Sequence, residues 1–523
     1  MPKNVRGDSG PEPVSDATPV LNPAVAPTPK PDTGPTPETN APPESAQGAA
    51  FTKPASTGSA PEPAPRYRFD TIKVRGAYDP KDHNYAFNVP IYQTASYEMG
   101  STQRGERLFR QEELGFLYTR VGNPTIDVLE RRVAELDGAA ASIALASGMA
   151  AVSHSILNLA DAGDHIVSSP WLYGGTFDLF KSILPRYGIN VSLATSLAPD
   201  DIKKQLRPNT KALFIESIAN PRGSVADIST LANLAHEAGI PLIVDNTFAT
   251  PYLVQPIKHG ADVVVYSATK GLSGHGTVIA GLISESGKFN YTNGKFPQFT
   301  DRGFTLRDRA DNFRSFAEVF PATPFTVRVR LALLNYLGAA LGPFDAYLVL
   351  LGLETLSERL EKQLATVRQL VDYLQGNEFV SWVEYSSLPD SPNYPLAQKY
   401  APRGSGTIFS FGFAGTLAQQ ERFIDSVRLF SYQVNVGDAK SLIVNSAKTT
   451  HSELTSKEQQ AAGLAPEVIR LSVGLEDPRD LIEDLDQAFT ATFGRRPERR
   501  SIGREARQAV GQKNRQAAGQ ADQ

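Results

Sequence analysis

An α/β fold, with a mostly parallel sheet carrying helices on both faces and a smaller C-terminal α/β domain, is predicted by three observations. Continuous Val/Ile/Leu runs alternate with amphipathic helical stretches across residues 126–345, which is how strands buried on both faces of a parallel sheet read. Several of these runs end in a residue able to do chemistry, where open parallel sheets collect their ligands. From about residue 346 the alternation gives way to a long helical stripe and scattered strand-like pieces, the mark of a second α/β unit over 346–494.

Each segment has its own reason. Residues 1–66 hold 16 of the 38 prolines, with Leu21 and Phe51 almost their only large apolar residues. Such a stretch cannot bury enough surface to offset chain entropy and is expected to be disordered. It has no apolar core of a signal peptide, and Asp8, Glu12 and Asp16 argue against a transit peptide. Residues 67–125 form an arm before the first strong helix. That helix opens at Asn123-Pro124 as cap and first residue, buries Ile126, Leu129, Val133 and Leu136, and closes at Gly138. Strand-like Ala141–Ala146 turns at Ser147-Gly148 into a second helix. Leu213–Ile215 precedes a loop with Asn220-Pro221 and a helix carrying Leu231 and Leu234. Leu242–Val244 ends at Asp245, and Val263–Tyr266 ends at Ser267. Past residue 346, one long helix is expected to carry Leu353, Leu356, Leu360, Leu364, Val367 and Val371 on one stripe, followed by strands over Thr407–Phe413 and Val468–Val473. The stretch 495–523 carries eight bases against three acids and no aromatic residues, a solvated tail rather than a nucleic-acid tether.

Composition narrows the chemistry. The 523 residues include no cysteine, so disulfides, Cys-ligated zinc, iron–sulfur clusters and thiol nucleophiles are excluded. A formal charge of −4 supplies no overall field for nucleic acid or anionic membrane. No apolar run reaches the roughly 18–20 residues of a membrane span, and a cytoplasmic protein is expected. The seven histidines show no zincin pairing, no G-x-G-x-x-G follows a strand, and Gly287-Lys288 to Gly294-Lys295 lacks the Walker spacing.

Four features remain at the predicted strand ends. Ser147-Gly148-Met149 offers backbone N–H groups and a positive helix end to a phosphate. Asp245 follows a wholly apolar strand and needs a cationic partner, either within the protein or on a cofactor ring. Ser267-Ala268-Thr269-Lys270 supplies two hydroxyls and an amine before the glycine-rich loop Gly271–Gly276. Tyr173-Gly174-Gly175-Thr176 places a ring on a loop free to cover a flat ligand. Each has an ordinary structural explanation when taken alone. Asp245 and Lys270, 25 residues apart on consecutive strand ends with an upstream glycine turn, form the arrangement expected for pyridoxal 5′-phosphate.

These motifs resemble the Cys/Met-metabolism pyridoxal-phosphate enzymes of fold type I over Thr71 to Phe493. The resemblance rests on Val244-Asp245-Asn246-Thr247-Phe248-Ala249-Thr250-Pro251-Tyr252-Leu253, Ser267-Ala268-Thr269-Lys270, Tyr118-Thr119-Arg120 with Asn123-Pro124-Thr125, and Arg470 through Asp477. Leu108-Phe109 through Gly115 and the insertion Gly287–Pro297 are similar to the O-acetylhomoserine sulfhydrylase branch. Methionine γ-lyases typically have a cysteine where Gly175 stands. The resemblance implies that Lys270 carries the cofactor and shuttles protons, and that Asp245 keeps the pyridine nitrogen protonated. The Gly148 and Met149 amides and the Ser267 and Thr269 hydroxyls would hold the phosphate. Tyr118 and Arg120 would reach that phosphate from a neighbouring subunit, making the active unit at least a dimer and the assembly a homotetramer built as a dimer of dimers. Tyr173 would stack on the ring and act as acid/base, Arg470 would clamp the substrate carboxylate, and Asn220 would lie near the ring oxygen. The implied reaction is γ-replacement: O-acetyl-L-homoserine loses acetate and takes up sulfide or a small thiol, giving homocysteine or methionine. Cystathionine γ-synthase and methionine γ-lyase are the alternatives within the family, and a silent cofactor-binding protein is the alternative outside enzymes. Two departures stand out. Gly271 follows the lysine where the family usually places a large residue, and Asn445-Ser446-Ala447-Lys448 replaces a usual His-Pro-Ala-Ser.

Overall fold

The structure is a computed structural model, and it describes residues 67–219, 223–303, 306–308, 310, 312–449 and 465–499. The Pro-rich extension, Asn220, the stretch from Thr450 to Leu464 and the tail beyond Arg499 lie outside the described residues. The described residues fall within one compact unit built on two sheets.

The larger sheet has seven strands: β1 (Ala141–Leu145), β2 (His165–Ser168), β3 (Asn190–Leu193), β4 (Thr210–Glu216), β5 (Leu242–Asp245), β6 (Val263–Ser267) and β7 (Gly281–Glu285). Their order is β1-β7-β6-β5-β4-β2-β3. Neighbours from β6 to β3 run parallel, and β7 alone is antiparallel, between β1 and β6. All six other strands therefore end on one edge. Residues alternate between two cores, as a strand's period of two requires. Ala144, Leu213, Val244 and Val264 face one core with the helices Pro124–Asp137 and Ile228–Glu237. Ile143, Phe214, Ile243 and Val265 face the other, with the helix Gly148–Leu157. The helix Pro124–Asp137 is capped by Asn123, whose side chain accepts the Thr125 N–H, and it ends at Gly138 with φ 67, a left-handed turn that glycine adopts without strain.

The smaller sheet comprises β8 (Val380–Glu384), β9 (Ile408–Phe413), β10 (Ser431–Tyr432), β11 (Leu442–Val444) and β12 (Val468–Ser472), in the order β10-β11-β12-β9-β8. Only the β10–β11 pair is parallel. The helices Leu356–Gln375, Leu417–Ser426 and Pro478–Phe493 share its core through Val367, Leu370, Phe423, Leu485 and Phe489.

The single long helix expected from residue 346 is two helices, Pro343–Glu354 and Leu356–Gln375, separated at Thr355 (φ −116, ψ 17). The apolar stripe continues across the junction, so periodicity alone hides the break. Near the junction the helix packs tightly against another part of the chain: a Cβ on Gly352 would stand 2.3 Å from the Ser273 carbonyl oxygen. The loop after Lys270 runs against the helix at that point.

Candidate active site

At the carboxyl edge of the large sheet the Ser147 hydroxyl accepts the Ala150 N–H at 3.1 Å, and the Ser147 carbonyl accepts that of Ala151 at 3.0 Å. This leaves Gly148 and Met149 as the first donors of a ten-residue helix, the geometry of an anion site. Gly148 is pressed against Ser267: a Cβ there would lie 2.5 Å from the serine Cβ and 2.9 Å from its Oγ. The ends of β1 and β6 meet in this way although β7 separates them. Gly281, the register partner of both Leu145 and Ser267, makes the crossing possible, because a Cβ at Gly281 would stand 2.0 Å from the Ser147 carbonyl oxygen.

The other predicted groups stand around this cradle. Asp245 ends β5 half-buried, with Oδ1 accepting the Thr247 N–H at 3.0 Å, while the Thr247 hydroxyl accepts the Ser267 N–H at 2.8 Å. Removal from water pushes the Asp245 carboxyl above its ordinary value, and the hydrogen bonds from Thr247 oppose that rise. The Thr269 hydroxyl faces Ala280, accepting its N–H at 3.0 Å and donating to its carbonyl at 3.3 Å. Turning its proton to a phosphate would leave the bond from Ala280 intact. Lys270 is half-buried and its Nζ donates to Asn435 Oδ1 at 2.7 Å. Burial pushes its amine down, Arg470 pushes it further, and Asp438 partly restores it.

Arg470 lies on β12, 2 % exposed, its guanidinium lowered to about 10 by burial. Tyr173 is 47 % exposed, and its N–H donates to Glu216 Oε1 at 2.6 Å. It sits at the cap of a short helix, Gly174–Asp178, where a free loop was expected. A Cβ on Gly175 would come within 2.7 Å of the Tyr173 ring and 3.4 Å of Met149 Sδ, so the glycine lies between the ring and the start of the cradle helix.

Tyr118 and Arg120 are not joined to this group by any hydrogen bond or ion pair among the described residues. The Arg120 guanidinium sits over the Tyr118 ring at 5.0 Å, and both line a separate cavity of about 380 Å³ with Phe109 and Tyr336. Four contributors were missed in the sequence. Gly281 and Thr247 act through the backbone of the sheet edge, and Asn435 and Asp438 reach in from the smaller sheet. Val434-Asn435-Val436-Gly437-Asp438 does carry a turn signal, and Gly437 indeed has φ 66; nothing in the pattern says that the turn faces Lys270. Of the two departures, Gly271 lies against Thr250, whose Cγ2 a Cβ would meet at 2.9 Å. Asn445 is buried, accepts the Lys448 N–H, and donates to Gln420 and Pro466, which makes it an anchor for its loop.

A glycine-lined cradle of amides and hydroxyls, a carboxyl raised by burial and an amine lowered by burial fit pyridoxal phosphate. Comparison with known proteins agrees. Residues 70–490 match the family model of the Cys/Met metabolism PLP-dependent enzymes. The chain is 41 % identical over 439 residues to the O-acetyl-L-homoserine sulfhydrylase of Leptospira meyeri, covering 83 % of this chain and 99 % of that protein. It is 41 % identical over 430 residues to the homocysteine synthase of Schizosaccharomyces pombe, covering 82 % and 99 %. Among solved structures, a putative O-acetylhomoserine (thiol)-lyase of Campylobacter jejuni, which carries a pyridoxyl-lysine monophosphate, superposes with a TM-score of 0.77 at 36 % identity, covering 81 % of this chain and all of the other.

Proposed function

The chain belongs to the Cys/Met metabolism PLP-dependent enzyme family, and from that premise we propose that it catalyses γ-replacement on O-acetyl-L-homoserine. Sulfide or a small thiol is the acceptor; homocysteine or methionine and acetate are the products. The observation that carries the reaction class is the half-buried Lys270 amine, bonded to Asn435 Oδ1 at 2.7 Å and held down by burial and by Arg470, on the loop that follows the end of β6. Relatives named for this activity span the same region at about 40 % identity, which supports the substrate.

Pyridoxal phosphate, when bound, supplies the electron sink for charge left at the substrate Cα. The residues do the rest. The Gly148 and Met149 N–H groups with the Ser267 and Thr269 hydroxyls hold the phosphate, and Asp245 gives the ring nitrogen's proton a carboxylate partner that burial deprives of water. Lys270 takes and returns protons; its lowered pKa keeps more of the amine neutral and basic near neutral pH. Tyr173 stacks on the ring and moves a second proton. Arg470 grips the α-carboxylate through its planar fork. Tyr118 and Arg120 serve the neighbouring subunit's phosphate, in a cytoplasmic homotetramer assembled as a dimer of dimers. Gly175 stands where methionine γ-lyases typically have a cysteine, which supports replacement over elimination in this reading.

The test is sulfide dependence. Incubated with O-acetylhomoserine, the enzyme is expected to form homocysteine only when sulfide is present. If 2-oxobutyrate appears regardless of thiol and no homocysteine forms, the sulfhydrylase reading is wrong.

A further inference from the structure

Arg359 and Gln363 lie one turn apart on the helix Leu356–Gln375, and neither belongs to the cofactor or substrate groups assigned above. Arg359 is 5 % exposed. Its Nη1 and Nη2 both donate to the Gly271 carbonyl at 3.1 Å, and Nη2 also reaches those of Leu272 at 3.3 Å and Gly352 at 2.8 Å. Nε donates to the Thr355 hydroxyl at 3.3 Å. Burial lowers this guanidinium to about 10, and Glu358 opposes the shift. An aliphatic side chain would fill the place without the cost of desolvating a cation. It could not hold the two carbonyls that directly follow Lys270. The fit admits nothing larger than glycine opposite it: a Cβ on Gly274 (φ 70) would stand 1.9 Å from Arg359 Nη1.

Gln363 is 1 % exposed, and its Nε2 donates to the carbonyls of Asp438 and Val473 at 2.9 Å each. Asp438 is three residues beyond Asn435, the acceptor of Lys270 Nζ, and Val473 is three beyond Arg470. The helix is itself shared: Leu356, Leu360 and Leu364 lie in a core of the large sheet, and Val367, Leu370 and Leu374 in that of the small one.

We propose that Arg359 and Gln363 are positioning residues that together set the separation between Lys270 and the carboxylate-binding side of the cleft. Residues four apart project from the same helix face. One therefore holds the loop bearing the lysine, the other holds the segments bearing Asn435 and Arg470, and the helix turn between them fixes the spacing. This inference rests on the reading that Lys270 carries the cofactor.

The experiment uses the cofactor-loaded enzyme and reads the pH titration of its visible absorbance, kcat, and KM for O-acetylhomoserine. Arg359→Met is expected to move the titration midpoint and lower kcat by about 10- to 100-fold with KM little changed, the scale of a misplacement near 1 Å. Arg359→Lys, which keeps the charge but loses the fork, is expected to move the midpoint less and in the same direction. Gln363→Leu is expected to raise KM about tenfold and to move the absorbance titration less than Arg359→Met does. The proposal is overturned if these variants change only the unfolding temperature, or if Arg359 and Gln363 substitutions shift kcat and KM in the same proportion. Should Arg359→Met fail to fold, an unmoved midpoint in Arg359→Lys overturns it equally. Borohydride reduction and peptide mapping of the unmodified enzyme separates the two levels: label away from Lys270 refutes the underlying site reading instead.

Discussion

The two walls of the cleft are built differently. The wall formed by the large sheet is mostly backbone: Gly148 touches Ser267, the Ser147 carbonyl crosses Gly281, and Thr247 ties the end of β5 to that of β6. The wall contributed by the small sheet is side-chain reach, with Asn435 extended to Lys270 and Arg470 buried on β12. The first wall tolerates no added atom. The second depends on chemistry at the tips of long side chains, so its positions accept new residues at the expense of what the cleft binds. The contrast fits a division of labour in which one wall serves the cofactor and the other the substrate.

The harshest way to break this comparison is to add a side chain to the first wall. Gly281→Val places a Cβ 2.0 Å from the Ser147 carbonyl oxygen and 2.5 Å from its carbon, and backbone cannot retreat as a flexible side chain would. Overpacking of this kind costs about 1–3 kcal/mol of stability, and displacing the helix start should weaken cofactor binding by roughly 100-fold. Titration of the apoenzyme with pyridoxal phosphate checks this; unchanged affinity would mean that the crossing over β7 does not form the phosphate cradle.

A gentler change on the second wall should leave the cofactor alone. Arg470→Lys keeps the charge and loses the bidentate fork, worth about 1.5–3 kcal/mol for hydrogen bonds to a charged group. KM for O-acetylhomoserine is therefore expected to rise about 10- to 100-fold, with the affinity for pyridoxal phosphate unaltered. If cofactor affinity falls in step with KM, the two walls do not divide the work as described.

The same contrast explains what could be read in the sequence. Asp245, Ser267 and Gly148 are visible there because a buried strand announces its own end and the parallel topology delivers every such end to one edge. Lys270 follows from the same logic. Gly281 was invisible, since a glycine at the start of a strand shows nothing about the chain that crosses it from Ser147, far earlier in the sequence. Asn435 and Arg359 were missed for a related reason: each acts through a contact set by packing between the two sheets, and no local pattern encodes the partner. The helix break at Thr355 belongs with them. Its apolar period is uninterrupted, so nothing in the pattern marks the junction.

The first wall also has a rear support, where the smallest of these effects is expected. Behind Asp245, the neighbouring Asn246 donates to the Tyr266 hydroxyl at 3.1 Å; that hydroxyl donates to Asp137 at 2.5 Å, and Ser284 donates to the other Asp137 oxygen at 2.6 Å. Asp137 is 1 % exposed, and burial raises its carboxyl to about 6 despite both donors. A carboxyl raised on folding favours the protonated folded state, so its contribution is complete below the unfolded value near 4 and is lost as pH rises through about 6. Asp137→Asn removes the titration and can still accept from Tyr266 while donating to Ser284. The variant's unfolding temperature relative to the parent should therefore climb by a few degrees between pH 4 and pH 7, with an upper bound of about 3 kcal/mol from a two-unit shift. A difference that stays flat with pH would show that the carboxylate is fully compensated where it lies. The rear of the sheet edge would then be a satisfied polar network rather than a strained one, and the contrast between the walls would rest on the glycine crossings alone.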